Sequence, residues 1–151
     1  MATPARRLIL SNLKSTIEGV TVANGYKTNI VTVESVAKSF ADTVSGEKPW
    51  VGIYPKRESL AYEHGGVIRV TFTALLICHI SGATASVRSD SLNDLLDDLI
   101  AVLSVDTTRG GNAVMTSIVT VETDEGDPDA YGHGSMVATT EVIYYRNDLS
   151  T

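Results

Sequence analysis

Apolar residues recur at helical spacing near the start of the chain. Thr3 and Pro4 form a favoured helix start, with threonine as the N-cap and proline at the first helical position, where its missing N–H costs nothing. The pattern predicts a helix from Pro4 to about Glu18 that buries one apolar stripe. The stripe consists of Ile9, Leu10, Leu13, Ile17 and Val20.

A second helix is predicted from Ser91 to about Leu103. Ser91, with Asp94 three residues later, is similar to the capping box found at helix starts. One face of this helix is apolar and the opposite face is acidic. The apolar face holds Leu92, Leu95, Leu96, Leu99, Ile100 and Leu103, and the acidic face holds Asp90, Asp94, Asp97 and Asp98. Because like charges at this spacing repel each other, we expect the aspartate stripe to face solvent or a cationic partner.

Alternation of apolar residues with other residues predicts a long strand over residues 67–80. One face of that strand would hold Ile68, Val70, Phe72, Ala74, Leu76, Cys78 and Ile80. Because the run is long for a strand, we expect it to contain a bulge or to project past its own domain. Two further β-rich stretches, 114–123 and 136–146, flank a turn-rich segment at 124–134 and predict a hairpin with a long exposed tip.

The segments between these elements are less regular. A turn at Asn24 and Gly25 precedes a predicted strand over residues 26–33. Residues 34–44 are ambiguous, and their spacing fits a short amphipathic helix. Pro49 opens a short predicted strand that ends at residue 54, a polar loop is predicted over 55–66, and Arg109 begins a flexible turn before two glycines.

These elements predict a single α+β domain over residues 1–151, with a mixed, mainly antiparallel sheet packed by two main helices and a long β-hairpin. With 43% apolar and 20% charged residues, the composition is that of a folded protein. No apolar run approaches the roughly 18 residues of a membrane-spanning helix, and the N-terminus lacks a secretory pattern, so we expect cytoplasmic synthesis and no membrane partner. The one cysteine, Cys78, cannot form an internal disulfide and is expected to be a buried apolar residue.

Formal charge is unevenly distributed along the chain. Residues 1–80 carry nine Lys or Arg and six Asp or Glu, whereas residues 81–151 carry three and twelve, so the halves have net charges of +3 and −9. The total of −6 argues against general binding to nucleic-acid phosphate. The asymmetry fits either complementary surfaces that meet between copies or an acidic face held in water. Arg6 and Arg7 lie in the first helical turn, where the helix dipole disfavours positive charge, which indicates either a partner or two solvated arginines.

Residue patterns that carry catalysis or metal binding are scarce. The chain has no Gly-x-Ser-x-Gly elbow and no paired Cys and His signature, and Cys78 and His79 should point to opposite faces of a strand. His64, His79 and His133 lack zinc-ligand spacing, so we expect them to be scattered. We therefore expect no enzyme activity, no metal and no cofactor.

Two segments have weaker alternatives. Residues 19–28 have a glycine, lysine and threonine order similar to a phosphate-binding loop, but the spacing is too long and a helix precedes it, so a plain turn is favoured. The acidic segment 124–129 could bind calcium, yet it lacks the oxygen spacing and late glutamate of an EF-hand, so a solvated hairpin tip is favoured.

The order of elements resembles the tail terminator and tail-completion proteins of long-tailed bacteriophages, over nearly the whole chain. The stretches that carry the resemblance are the N-terminal helix leading to 25–29, the segment 49–54, the long strand from Val67, the leucine-rich and aspartate-rich helix, and the closing hairpin that ends at 142–146. The resemblance implies a mixed sheet packed by helices, a ring of six copies on the last disc of the tail tube, and contacts with the tube protein and with a neck or head–tail connector protein.

The implied ring stops tube growth, surrounds DNA only as passing cargo and belongs to the virion tail, after assembly in the host cytoplasm. We expect contacts between copies or with partners at six charged residues, which are Arg6, Arg7, Lys56, Arg57, Asp94 and Asp98. Acidic residues would keep DNA phosphate from adhering to the lumen, and either the aspartate stripe or the tip could supply them. The tip residues are Asp124, Glu125, Asp127 and Asp129. The alternatives are another neck, head-completion or baseplate subunit, or a small enzyme or ligand-binding module.

Overall fold

The fold is α+β, with two helices and a five-stranded sheet, in a computed structural model that describes residues 4–124 and 133–147. The helices are α1 (Ala5–Glu18) and α2 (Ala85–Val105). The strands are β1 (Thr32–Glu34), β2 (Trp50–Tyr62), β3 (Val67–Ser81), β4 (Met115–Asp124) and β5 (His133–Asn147), in the spatial order β1-β2-β3-β5-β4. Only β1 and β2 pair in parallel; the other pairs are antiparallel, so the mixed, mainly antiparallel sheet is confirmed.

The long central strand β3 follows its predicted alternation. Its seven even-numbered residues from Ile68 to Ile80 are all buried, because they face both helices in one hydrophobic cluster. Neighbouring strands contribute residues from the same face, including Ile53 and Val142. The helices therefore cover one face of the sheet.

Helix α1 buries the predicted stripe, with Ile9, Leu13 and Ile17 fully inaccessible to solvent. Its start differs from the prediction by one residue, because Pro4 has extended backbone angles and is itself the N-cap. Thr3, the predicted cap, lies outside the described residues.

Helix α2 starts six residues before the predicted cap. Thr84 is the N-cap, and its hydroxyl accepts a hydrogen bond from the Val87 backbone N–H, so Ser91 is an interior helical residue. The buried face is also rotated relative to the prediction, because Asp98 and Val102 are buried whereas Ile100 is 47% exposed.

Two predictions between α1 and β2 are wrong. The strand expected over residues 26–33 is limited to Thr32–Glu34, and residues 34–44 do not form an α-helix. The chain there forms short 3-10 turns at Phe40–Asp42 and Ser45–Glu47. This connection lies on the sheet face opposite the helices, where a side chain at Gly52 would meet the Val36 carbonyl oxygen at 2.3 Å.

The polar loop predicted over residues 55–66 is wrong as well. Strand β2 continues through this segment to Tyr62 and pairs with β3 along its whole length, with a bulge between Pro55 and Arg57. A tight turn at His64–Gly66 then connects the two strands. The bulge or projection predicted for the long strand is therefore not found, because the bulge lies in β2 and β3 pairs regularly with β5 from Val67 to Ser81.

The turn after α2 contains a buried side chain. Arg109 has a positive φ of 51° and is fully buried, and its guanidinium donates hydrogen bonds to the carbonyl oxygens of Leu103 and Asp106 at the helix end. The turn is thus held in place by Arg109, contrary to the predicted flexible turn. The predicted β4–β5 hairpin is confirmed, and its tip at 125–132 lies outside the described residues, as does the C-terminal segment 148–151.

Candidate interaction surfaces

The sheet face opposite the helices is largely uncovered. Cross-strand register places alternate side chains of β2, β3, β4 and β5 on this side, which we call the open face. Its members include Tyr54, Arg57, Leu75, Ile77, Met115, Val137, Glu141, Ile143 and Tyr145. Tyr54, Met115 and Tyr145 are between 44% and 52% exposed, and the central aliphatic residues are half-buried. The open face therefore combines apolar area with charges at its margins.

One end of that face is closed by the connection between β1 and β2. The Trp50 and His79 rings stack with centroids 5.3 Å apart. His79 Nε2 lies 2.7 Å from the Lys38 carbonyl oxygen, and because that oxygen can only accept, Nε2 donates this hydrogen bond. His79 Nδ1 lies 2.8 Å from the Ser135 hydroxyl oxygen. The two contacts let the His79 side chain anchor the connection to the sheet.

Glu34 completes this anchor. Its carboxylate accepts hydrogen bonds from Lys38 Nζ at 3.1 Å and from Trp50 Nε1 at 3.2 Å. The Lys38 hydrogen bond, followed by that of Trp50, lowers the pKa of Glu34. The acidic side chain thus stays charged while it holds the indole in place.

Of the described side chains, His64, His79 and Cys78 do not come together in one site. His64 lies in the β2–β3 turn, whereas His79 is twelve residues along β3 from Val67, a span of roughly 40 Å; the His133 side chain is outside the described set. Burial raises the pKa of the Cys78 thiol to about 12, which leaves it protonated and unreactive. Cys78 is in the core and His79 on the opposite face, as predicted. Within 4–124 and 133–147, no group of three or more His, Cys, Asp or Glu side chains could hold a metal ion.

Arg6, predicted to meet a partner, contacts its own chain. Its Nε lies 3.4 Å from Glu58 Oε1, and its guanidinium carbon lies 5.1 Å from the centre of the Phe72 ring. The Tyr144 hydroxyl donates to the same Glu58 oxygen at 3.2 Å. Burial, and then the Glu58 charge, raise the pKa of Tyr144 to about 12. This cluster ties α1 to β2 and β5, and explains a positive charge in the first helical turn.

Asp98, predicted to face solvent or a partner, is only 4% exposed. Its carboxylate accepts hydrogen bonds from the backbone N–H groups of Lys27, at 3.0 and 3.1 Å, and Thr28, at 2.8 Å. It takes the place of a strand partner for the N–H groups of Lys27 and Thr28. The predicted acidic stripe is therefore wrong at Asp98.

The other aspartates of α2 are more accessible. Asp97 is paired with the Lys27 ammonium at 3.0 Å, and this contact raises the pKa of Lys27. Asp94 is half-buried and lines an open cleft of about 220 Å³ with Lys27, Lys48 and Ser91. The cleft is small and shallow for a site that must enclose a ligand.

The remaining predicted contact residues lie at the surface. Arg7, Lys56 and Arg57 are exposed. Lys56 and Arg57 lie at the β2 bulge, and neither has an ionic partner among residues 4–124 and 133–147. Asp124 is the last residue of β4. Glu125, Asp127 and Asp129 lie outside the described residues, so the structure includes only the first residue of the predicted acidic tip. The sheet thus brings Lys56 and Arg57 to one edge and the β4 acids to the other.

Both edges of the sheet are free over long stretches. Strand β1 pairs with β2 only at Trp50, Val51 and Gly52, so in the described structure residues 53–62 have no strand on their outer side. Strand β4, ten residues long, forms the opposite edge. Sequence reasoning missed the β2 edge, because the bulge interrupts the alternation that would have indicated a strand.

No protein-family model matches the chain, and a search of curated proteins finds no match either. No helix of the described part is long and apolar enough to span a membrane.

Proposed function

We propose that the protein is a structural subunit of a phage virion that caps the end of the tail tube as a ring, ends tube polymerisation and joins the tail to the neck. The observation that carries the proposal is the order of elements: an N-terminal helix, a long central strand, an aspartate-rich helix and a closing hairpin around one mixed sheet. This is the arrangement that the resemblance to tail terminators implies.

The surface of the chain supports a role in assembly. The open face and the two free edges present backbone groups and apolar area that a neighbouring subunit can cover. The basic residues of β2 and the acidic end of β4 lie at opposite edges, which suits head-to-tail contacts between unlike surfaces in a closed ring.

The accessible acids suit a lumen through which DNA passes. Asp90, Asp94 and Asp97 remain at the surface of α2, whereas Asp98 is engaged with the backbone of its own chain. Negative charge facing the channel would repel phosphate and let DNA slide through. Either this α2 group or the 124–129 segment fills that role in the proposal.

Electron microscopy of tail tubes tests the proposal. Tubes assembled from the tube subunit encoded by the same phage are mixed with the full chain, and with an unrelated protein of similar size and charge as the control. We expect a ring of density at tube ends with the full chain alone. Bare ends would contradict the proposal, and density at the distal baseplate end would favour a baseplate subunit instead. A ring absent from free solution is compatible with the proposal when the tube is needed as a template.

A further inference from the structure

The two free sheet edges differ in charge. Within β2, the outer stretch of residues 53–62 carries Lys56, Arg57 and Glu58, and Glu58 is already paired with Arg6. Strand β4 carries Glu122 and Asp124 and no basic residue. Lys56, Arg57 and Glu122 have no ionic partner in the described part of the chain. One edge is therefore basic and the other acidic, and Lys56, Arg57 and Glu122 are available to a partner as far as residues 4–124 and 133–147 show.

The edges also agree in direction and length. In the order β1-β2-β3-β5-β4, successive antiparallel pairs from β2 onwards make β4 run opposite to β2. When copies are related by rotation about an axis near the strand direction, β4 of one copy meets β2 of the next in the antiparallel sense. The free part of β2 and the whole of β4 are each ten residues long.

The bulges favour one register between the two edges. Strand β2 has its bulge between Pro55 and Arg57, and β4 has one between Ile118 and Thr120. Each bulge shifts the alternation of side chains by one residue. When the two bulges lie opposite each other, the shifts match, so open-face residues of β2 in one copy lie beside open-face residues of β4 in the next along the whole contact. In that register Ser59 lies opposite Ser117, and Arg57 lies diagonally to Glu122, within reach of a long side chain.

We propose that the basic outer edge of β2 pairs with the acidic edge of β4 from a second copy of this chain, so that one antiparallel sheet continues from copy to copy. The inference deepens the proposed ring function and rests on it for the presence of neighbouring copies. Like edges repel each other because the unpaired charges on each edge have one sign, so β2–β2 and β4–β4 contacts are disfavoured and the head-to-tail contact is selected. Pro55 and the bulges further exclude unrelated strands.

Cysteine cross-linking tests the contact in the full chain bound to tail tubes. The double variant Ser59→Cys/Ser117→Cys places thiols on both edges, and buried Cys78 does not compete. Under mild oxidation we expect a ladder of disulfide-linked oligomers from the double variant, and dimers only from a mixture of the two single variants. The matched control Ser59→Cys/Ser11→Cys, with Ser11 exposed on α1, should remain monomeric on a denaturing gel.

Charge reversal supplies a second test that needs no covalent link between the copies. Arg57→Glu or Glu122→Arg alone should weaken association by about two- to five-fold per interface, and the double reversal should restore it. Lys14→Glu, on α1, is the matched control for loss of a positive charge and should have no effect. Wild-type rings at tube ends with neither cross-links nor charge effects would overturn the edge contact and leave the proposed function intact. Absence of wild-type rings would overturn the proposed function itself.

Discussion

The buried carboxylate of Asp98 gives the sharpest stability prediction. Replacing it by asparagine in Asp98→Asn keeps the size of the side chain but converts one oxygen into an NH₂ group. In the wild type, both carboxylate oxygens accept hydrogen bonds from the backbone N–H groups of Lys27 and Thr28. In the variant, the asparagine NH₂ group faces at least one of these backbone N–H groups, which is also a donor. The remaining backbone N–H group has a neutral acceptor in place of a charged one.

The magnitude follows from the number of hydrogen bonds. A hydrogen bond to a charged group contributes about 1.5–3 kcal/mol, and a buried donor without an acceptor costs about 1–3 kcal/mol. Because Asp98 is only 4% exposed, water cannot replace the lost acceptor. We expect Asp98→Asn to lower the free energy of unfolding by about 2–4 kcal/mol, which lowers Tm by roughly 5–15 °C for a chain of this size.

The neighbouring Asp97→Asn variant is the matched control. Asp97 is well exposed and pairs only with the exposed Lys27 ammonium, so its loss should cost less than about 1 kcal/mol. Urea unfolding followed by circular dichroism measures both variants against the wild type, with the m-value as a check on two-state behaviour. Equal effects of the two substitutions would refute the assignment of Asp98 as the acceptor that fixes this segment.

Two further predictions concern the covered end of the open face and the core thiol. Gly52→Ala should displace the segment around Val36, because the added Cβ would clash with the Val36 carbonyl oxygen and with the Trp50 indole. Trp50 is the only tryptophan, so its displacement should redshift the fluorescence of the protein. Gly46→Ala is the control and should leave the spectrum unchanged, because a Cβ at Gly46 meets open space. Above pH 9.0 the unfolded Cys78 thiol loses its proton while the folded thiol keeps it up to about pH 12, so stability falls as the pH rises through this window. Cys78→Ala should reduce that slope by up to about 1.4 kcal/mol per pH unit, and an unchanged slope in pH-dependent urea unfolding would contradict the burial of the thiol.

Much of the fold could be predicted from periodicity, because long regular segments repeat their pattern many times. Strand β3, the apolar stripe of α1 and the β4–β5 hairpin follow the sequence pattern closely. The outer half of β2 does not follow such a pattern, because Pro55 and a bulge interrupt its alternation.

The remaining differences come from long-range contacts that local patterns cannot encode. Residues 26–31 have strand propensity, but the N–H groups of Lys27 and Thr28 are bound by the Asp98 carboxylate, about 70 residues away in the sequence. The sequence pattern does not reveal the first turns of α2, because the residues between Thr84 and Ser91 are mostly exposed and show no apolar stripe. The sequence indicates a partner for Arg6 only through its place in the first helical turn, because its contacts with Glu58 and Phe72 come from strands distant in sequence.

Seeded tube growth tests the central proposal most directly. Short tail tubes are incubated with the full chain and then supplied with fresh tube subunits, and tube lengths are measured by electron microscopy. The proposal predicts that ends carrying the protein stop growing, so that the length distribution stays at that of the seeds while untreated tubes elongate. Elongation at the same rate with and without the protein would contradict a capping function.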